Sequence, residues 1–402
     1  MSSHQISKEN SAFRLFCVSY FLRYLGIGMY ITIFNLYIAS MNFSGSFLGT
    51  FLAVGNLSMA IFSVPLGQLI DRVSKTNVLI SLTLVASICF FLQATILNES
   101  ILLIVSAVYG VAFIGLLNAT APFLYGLKAL EKGKNFIMTT RAIALISSTL
   151  GAVICGVLSL IGRDNQGILF IATFILLSSA VPIIFVPKII PIAKEASSTS
   201  EIAGAKQIQK SNGQRKTLII SSLLVFFFLG FAPLIQNFVN LYFSTRYHLA
   251  NSDIAFIVAT VTLLIGVVVI ASSKLKIRSP QSAKIGFALL GFGILLLNIT
   301  SVIFDNIFIH VVGIFLILGL FQVYYALTYD MILSNTKNSL HGKISGFINM
   351  SSNLSETFGI YLCSLLIIGL RFDLIFVISA VSTLFVTLTT LFVVKFMNKE
   401  YT

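Results

Sequence analysis

The sequence predicts an all-α integral membrane protein of about twelve transmembrane helices in two six-helix pseudo-repeats. Three observations lead there. First, 57% of the 402 residues are hydrophobic and only 10% are charged, against roughly 25% charged in soluble chains. Soluble domains of this length cannot hide so much apolar surface, so the solvent is lipid. Second, apolar runs of about 20 residues, the length a bilayer demands, follow one another along the chain. Third, short patterns recur at corresponding places in the two halves. Lipid offers no partner for an open sheet edge, so the spans are helices. The alternating polarity of barrel strands is absent.

The runs place spans at about 13–39, 45–70, 77–97, 100–124, 137–161, 167–187, 217–243, 251–273, 283–303, 307–333, 344–369 and 373–396. An even number puts both termini on one face. Of the 26 lysines and arginines, all but Arg23, Arg163, Arg246 and Arg371 fall on that face, while Glu99, Asp164, Asp253, Asp305 and Asp373 fall on the other. By the positive-inside rule the termini are cytoplasmic, which makes this a multi-pass protein of a bacterial inner membrane. The net charge of +13 is thereby a topology signal, and nucleic acid is not an expected partner. The first apolar run is too long for a signal-peptide core and lacks a small-residue cleavage site, so no cleavable leader is expected.

The longest polar stretch, 188–216, contains Ala196-Ser-Ser-Thr-Ser200 and Lys210-Ser-Asn-Gly-Gln214. It reads as a flexible cytoplasmic linker between a six-helix bundle at 1–187 and another at 217–402. Phe34-Asn35-Leu36-Tyr37 closes the first span and Val239-Asn240-Leu241-Tyr242 closes the seventh, an offset of 205. At almost the same offset, Gly151-x-x-x-Cys155 in the fifth span matches Gly359-x-x-x-Cys363 in the eleventh. Two matches in corresponding helices indicate duplication. Repeated halves around a midplane site are a common transporter plan.

After the second span comes Gly67-Gln-Leu-Ile-Asp71-Arg72-Val-Ser-Lys75. This loop resembles that of the major facilitator superfamily between helices two and three, G-x-L-a-D-r-x-G-r-k. Gly67, Leu69, Asp71, Arg72 and Lys75 match, while Ser74 replaces a glycine and Thr76 the last basic residue. A glycine such as Gly67 permits close helix approach, and Asp71 with Arg72 sits where charges pair and hold the halves closed. The resemblance implies a conformational latch of Gly67, Asp71, Arg72 and Lys75. The equivalent loop of the second half, Lys274-Leu-Lys-Ile-Arg278, has lost the pattern, so the latch is one-sided. The fifth span carries Ser147-x-x-x-Gly151-Ala152-x-x-Cys155-Gly156. It resembles a degraded form of the exporter motif G-x-x-x-G-P-x-x-G-G, with Gly151 and Gly156 retained and alanine for proline. Glycines at Gly151, Gly156 and Gly359 also serve plain helix packing. The fourth span has Asn118 and Thr120 where many drug–proton exporters of the family carry an arginine.

Two ionisable residues lie deep in spans, where an uncompensated charge costs several kcal/mol. Arg23 is about ten residues into the first span and Glu356 about twelve into the eleventh, roughly 15–18 Å from the cytoplasmic end at 1.5 Å per residue. Glu356 is the expected protonation site or counter-charge for a cationic substrate. Arg23 is its expected partner or an anion contact, the alternative being a structural pair or a snorkelling chain. Asn35, Asn118, Gln236, Asn240, Tyr325 and Asn353 are candidate cavity residues, as are Asn56, Asn237, Gln322, Tyr324 and Asn349. Each equally suits hydrogen-bonding between helices.

His4, His248, His310 and His341 are scattered, and the four cysteines lie in apolar segments, so no metal or disulfide framework is expected. Nucleotide loops and nucleophile elbows are absent. A transporter rather than an enzyme is expected, without cofactor, driven by an ion or substrate gradient. The resemblance implies alternating access by a monomer. Its exporter features point to proton-coupled efflux of a small amphiphilic compound such as an antibiotic. Self-immunity export of a microcin-like peptide antibiotic is one alternative; its hint is a composition without tryptophan. A nutrient uptake symporter is another.

Overall fold

In the computed structural model the described residues are 3–41, 43, 46–125, 136–189, 225–227, 229–231, 234–272, 280–334, 341–369 and 371–398. Regular structure among them is helical. The helices run Ser3–Ser40, Phe47–Arg72, Lys75–Thr95, Glu99–Tyr125, Phe136–Leu160, a sixth in two pieces (Asn165–Ser178 and Ala180–Ile189), a seventh around a 3-10 turn at Leu234–Phe238 and a helix Val239–Tyr247, then Asn251–Ser272, Pro280–Ile303, Ile307–Ser334, His341–Ile368 and Phe372–Asn398. They are called helices one to twelve below. Eleven carry a stretch long and apolar enough to cross a membrane. Helix eleven has 28 residues, but its apolar run is interrupted by Asn349, Ser351, Ser352, Asn353, Ser355 and Glu356. Large apolar side chains such as Phe174, Leu289 and Phe308 are among the most exposed of the described residues. Water does not tolerate such a surface; lipid does. The chain is a multi-pass membrane protein.

Two departures from the expected spans have local causes. The sixth helix breaks at Ser179, three residues before Pro182. Proline has no N–H and its ring crowds the carbonyl four residues back. Here that carbonyl belongs to Ser178, and the next one, of Ser179, accepts from Ser19 Oγ at 2.5 Å. Within the seventh span residues 225–227 and 229–231 are helical, and Leu234–Phe238 forms a 3-10 turn ahead of the last helix. Pro233 lies between these pieces in the sequence. Residues 190–224, which hold most of the expected linker and the start of the seventh span, lie outside the described residues, as does the loop 273–279.

Helices one to six and seven to twelve correspond to the two expected bundles. Helix one packs on five and six, two on four, and three on four and six; nine packs on ten and twelve, and eight on ten. Between the groups, helix two runs against eleven and helix five against eight. In a duplicated chain helices two and eight are equivalent, as are five and eleven, so these two seams are one contact used twice about a pseudo-twofold axis. Glycines and small residues line them, as close packing without a hydrophobic drive requires. A Cβ on Gly156 would lie 3.0 Å from the Phe256 ring. Ser63 Oγ donates to the Gly346 carbonyl at 3.4 Å.

Candidate substrate and proton site

The break in helix seven lies against helix eleven because small residues let them meet. A Cβ on Gly230 would sit 2.6 Å from Ser355, and one on Gly359 2.7 Å from a Leu234 methyl. Next to this crossing is a cavity of about 30 Å³ lined by Gly230, Leu234, Gln236, Asn237, Glu356 and Ile360. That is room for a water molecule or two, not for an organic solute. The 3-10 turn brings Gln236 and Asn237 to the cavity; helix eleven brings Glu356. Among the described residues the Glu356 carboxyl meets no cation. The neighbouring Ser355 Oγ is buried without a partner.

Immediately beyond the cavity the two halves are clasped. Asn35 Nδ2 donates to the Asn237 carbonyl at 2.6 Å and to Asn240 Oδ1 at 3.0 Å. Asn240 Nδ2 donates to the carbonyls of Thr32 at 3.0 Å and Ile31 at 3.2 Å. Asn35 and Asn240 are the repeat-related asparagines. A residue near a pseudo-twofold axis would meet its own equivalent, as these two do. The clasp closes the end of the molecule opposite the termini, called distal here. Asn237 belongs to both features: its carbonyl is gripped by Asn35 while the residue lines the Glu356 cavity.

Arg23 is elsewhere. It is 2% exposed and points into the first six-helix group, where Nη2 donates to Thr83 Oγ1 at 3.3 Å, the guanidinium lies 6.0 Å from the Tyr20 ring centre, and Nε has no partner. Arg23 and Glu356 are thus not an ion pair in this structure, contrary to the expected partnership. Despite a similar depth, Arg23 contacts helix three whereas Glu356 lines the cavity beside helix seven. Asn118 serves packing, donating from Nδ2 to the Ser63 carbonyl at 2.9 Å. Tyr325 packs edge-on to Phe226 at 5.2 Å. Asn353 is half-buried, and its carbonyl accepts from Thr357 Oγ1 at 2.7 Å.

The family model of the Major Facilitator Superfamily matches residues 16–297. The chain belongs to the major facilitator superfamily. Solved structures of the same fold include the nucleoside transporter NupG, 18% identical with a TM-score of 0.66, over 97% of this chain and 98% of that one. A bacterial homologue of the iron transporter ferroportin in an inward-facing state is 15% identical with a TM-score of 0.67, over 98% and 99%. No curated protein matches this sequence. The chain is therefore a membrane transporter, not an enzyme.

The loop expected to act as a latch lies between the ends of helices two and three. Helix two ends at Arg72 and helix three begins at Lys75; the side chains of Asp71 and Arg72 lie outside the described residues. The close approach expected at Gly67 is not there, since a Cβ on it would meet nothing within 4 Å. The motif glycines of helix five are in contact. A Cβ on Gly151 would come 2.5 Å from the Leu25 carbonyl oxygen and 2.8 Å from the Met29 nitrogen, so helix one seats directly on it, while Gly156 faces helix eight across the halves.

Sequence reading missed one cluster. His310, treated as one of four scattered histidines, is buried and joined by Tyr242 and Tyr247 of helix seven at its Nδ1, with Tyr242 Oη at 3.0 Å. The only hint was that Tyr242 ends the repeated Asn-Leu-Tyr pattern; its partner is 68 residues away.

Proposed function

We propose that this transporter couples proton movement to export of a small amphiphilic organic compound by alternating access. The carrying observation is Glu356, an acid that meets no cation among the described residues, beside the 3-10 turn of helix seven and a cavity of about 30 Å³. An ionised carboxylate in a span costs several kcal/mol unless paired or hydrated. Taking up a proton removes that cost, and so does a cationic substrate. Half-helices with freed backbone groups are how secondary transporters build midplane sites. Occupation of the cavity by a proton acts on Asn237, and Asn237 acts on the clasp through Asn35. Opening the clasp and closing the opposite end exchanges access between faces. The basic bias of the termini-bearing face supports a cytoplasmic placement for it, with Asp71 and Arg72 as the latch there. Efflux is supported by Gly151 and Gly156 in helix five, which keep the spacing of the exporter motif and sit at two helix crossings.

A second reading rests on the amides. Gln236 and Asn237 beside Glu356 offer donors and acceptors suited to a polar solute of the nucleoside kind, and the fold likeness to a nucleoside transporter is compatible with it. The deciding experiment expresses the gene in a pump-deficient bacterium and challenges it with a broad panel that includes peptide and nucleotide-like antibiotics. Resistance to one compound class, lost in Glu356→Gln, is the expected outcome. No protection, together with labelled nucleoside uptake in a strain lacking its own carriers, would overturn export in favour of uptake.

A further inference from the structure

The distal end of the second bundle holds a polar cluster with no counterpart among the described residues of the first. His310 opens helix ten. It is 0% exposed, stacked on Phe376 with ring centres 5.7 Å apart. Its Nε2 lies 2.8 Å from the Ser301 carbonyl of helix nine. A carbonyl only accepts, so Nε2 bears a hydrogen whatever the charge of the ring. Every change of protonation therefore falls on Nδ1. Two phenols converge there: Tyr242 Oη at 3.0 Å and Tyr247 Oη in closer contact. Tyr247 Oη also lies 3.4 Å from Asp305 Oδ1, and Asp305 is largely exposed to the distal side (71%). Arg246 binds Asp305 at 2.9 Å and Asp373 at 3.5 Å.

We propose that His310 is a proton-binding site filled from the distal aqueous face through Asp305 and Tyr247, and that its occupancy sets how firmly the distal end of helix seven is held. The arrangement satisfies both charge states by turning hydroxyls. With neutral His310, Nδ1 accepts from a phenol and Tyr242 is tied to helix ten. With His310 protonated, Nδ1–H donates to the Tyr247 oxygen, and the Tyr247 proton points to the Asp305 carboxylate, so cation and anion are joined by one O–H. Loading follows the same line. Asp305 takes a proton from water and passes it to the Tyr247 oxygen as Tyr247 gives its own to Nδ1. Asp305 and Tyr247 return to their starting forms and one proton is gained by the imidazole. Tyr242 then loses its acceptor. It lies two residues beyond Asn240, whose clasp holds the distal end shut, so proton uptake loosens helix seven next to the gate. The charged and titratable groups facing His310 are Tyr242, Arg246 and Tyr247 from helix seven, Asp305 from the loop before helix ten, and Asp373 at the start of helix twelve. Helices eight and nine add none among the described residues. The inference stands independently of the role given to Glu356.

The test uses the full chain in lipid nanodiscs with isotope-labelled histidine, His4, His248 and His341 being replaced by glutamine so that one imidazole is observed. The expected result is a single titration of His310 between about pH 5 and 8, the range of histidine switches, moved to lower pH in Asp305→Asn. A spin-label pair on the distal ends of helices one and seven should widen as pH falls through the same midpoint. Tyr242→Phe keeps the ring packing and removes only the hydroxyl; there His310 should still titrate while the spacing ceases to follow pH. An imidazole signal unchanged from pH 4 to 9 would overturn the site. A spacing that follows pH equally in Tyr242→Phe and in His310→Gln would overturn its role at the gate.

Discussion

Tyr37 and Tyr242 hold equivalent places in the two halves, 205 residues apart like the asparagines just before them. Tyr37 donates to the Ala94 carbonyl at 2.9 Å, an acceptor that never changes charge. Tyr242 bonds instead to an imidazole wired to Asp305. The ionisable residues within the membrane divide in the same way. The first half buries a lone guanidinium, Arg23, among Thr83 and aromatic rings, away from the second half. The second half places its acid, Glu356, at the break in helix seven. On the proposed mechanism the second bundle carries the protons and the first serves as the wall against which it works. The two tyrosines differ in whether the partner is constant or titratable.

That contrast is open to attack. The largest effect should come from Glu356→Gln, which is expected to reduce proton-driven transport in proteoliposomes to the level of empty vesicles while substrate counterflow survives. Arg23→Met in the first half should leave the protein folded, with a thermal midpoint equal to or above wild type, because burying an incompletely bonded charge costs free energy that a hydrophobe of similar size does not incur. A midpoint well below wild type would show that Arg23 holds its bundle together.

Next come the repeat-related glycines. The Cβ of Gly151→Ala would meet backbone of helix one, 2.5 Å from the Leu25 oxygen, whereas that of Gly359→Ala would meet a Leu234 methyl at 2.7 Å. A methyl turns aside and a backbone does not. The first substitution should therefore cost about 1–3 kcal/mol by overpacking and the second distinctly less, read as loss of the folded fraction on heating in detergent. Equal losses would mean that the halves are equally rigid at these crossings.

The clasp should be lopsided. Asn240→Ala removes both bonds from Asn240 Nδ2 and the one accepted from Asn35; Asn35→Ala removes only its own two. At about 0.6–1.7 kcal/mol per interhelical bond, both should populate a distally open state, Asn240→Ala more. Labelling of a single distal cysteine in a background free of native cysteines measures it. The smallest effect belongs to Arg246→Ala. The Arg246 hydrogen bond holds the Asp305 carboxyl below its usual value. That stabilisation is complete above about pH 4 and is lost as pH falls through the lowered value. An exposed pair contributes little, so a thermal shift near zero at neutral pH is expected, fading further in acid.

Helix number, span positions and duplication were legible because lipid imposes a composition on each stretch separately. The chain had only to be read in windows of about 20 residues. The Asn-Leu-Tyr repeat was legible for the same local reason, though not that its asparagines touch. Glu356 stood out as an acid in an apolar run, and so did Arg23. Pairing the two by depth failed, because depth gives height along a helix and not the face that a side chain presents. The His310 cluster stayed hidden because its members come from three helices and a loop, each polar residue unremarkable in its own segment. The sequence by itself determined the fold class and the family, through solvent-driven composition and a local motif. Only the tertiary structure decided which polar groups meet, because in a bundle that depends on helix rotation and crossing, set jointly by glycine contacts far apart in the chain.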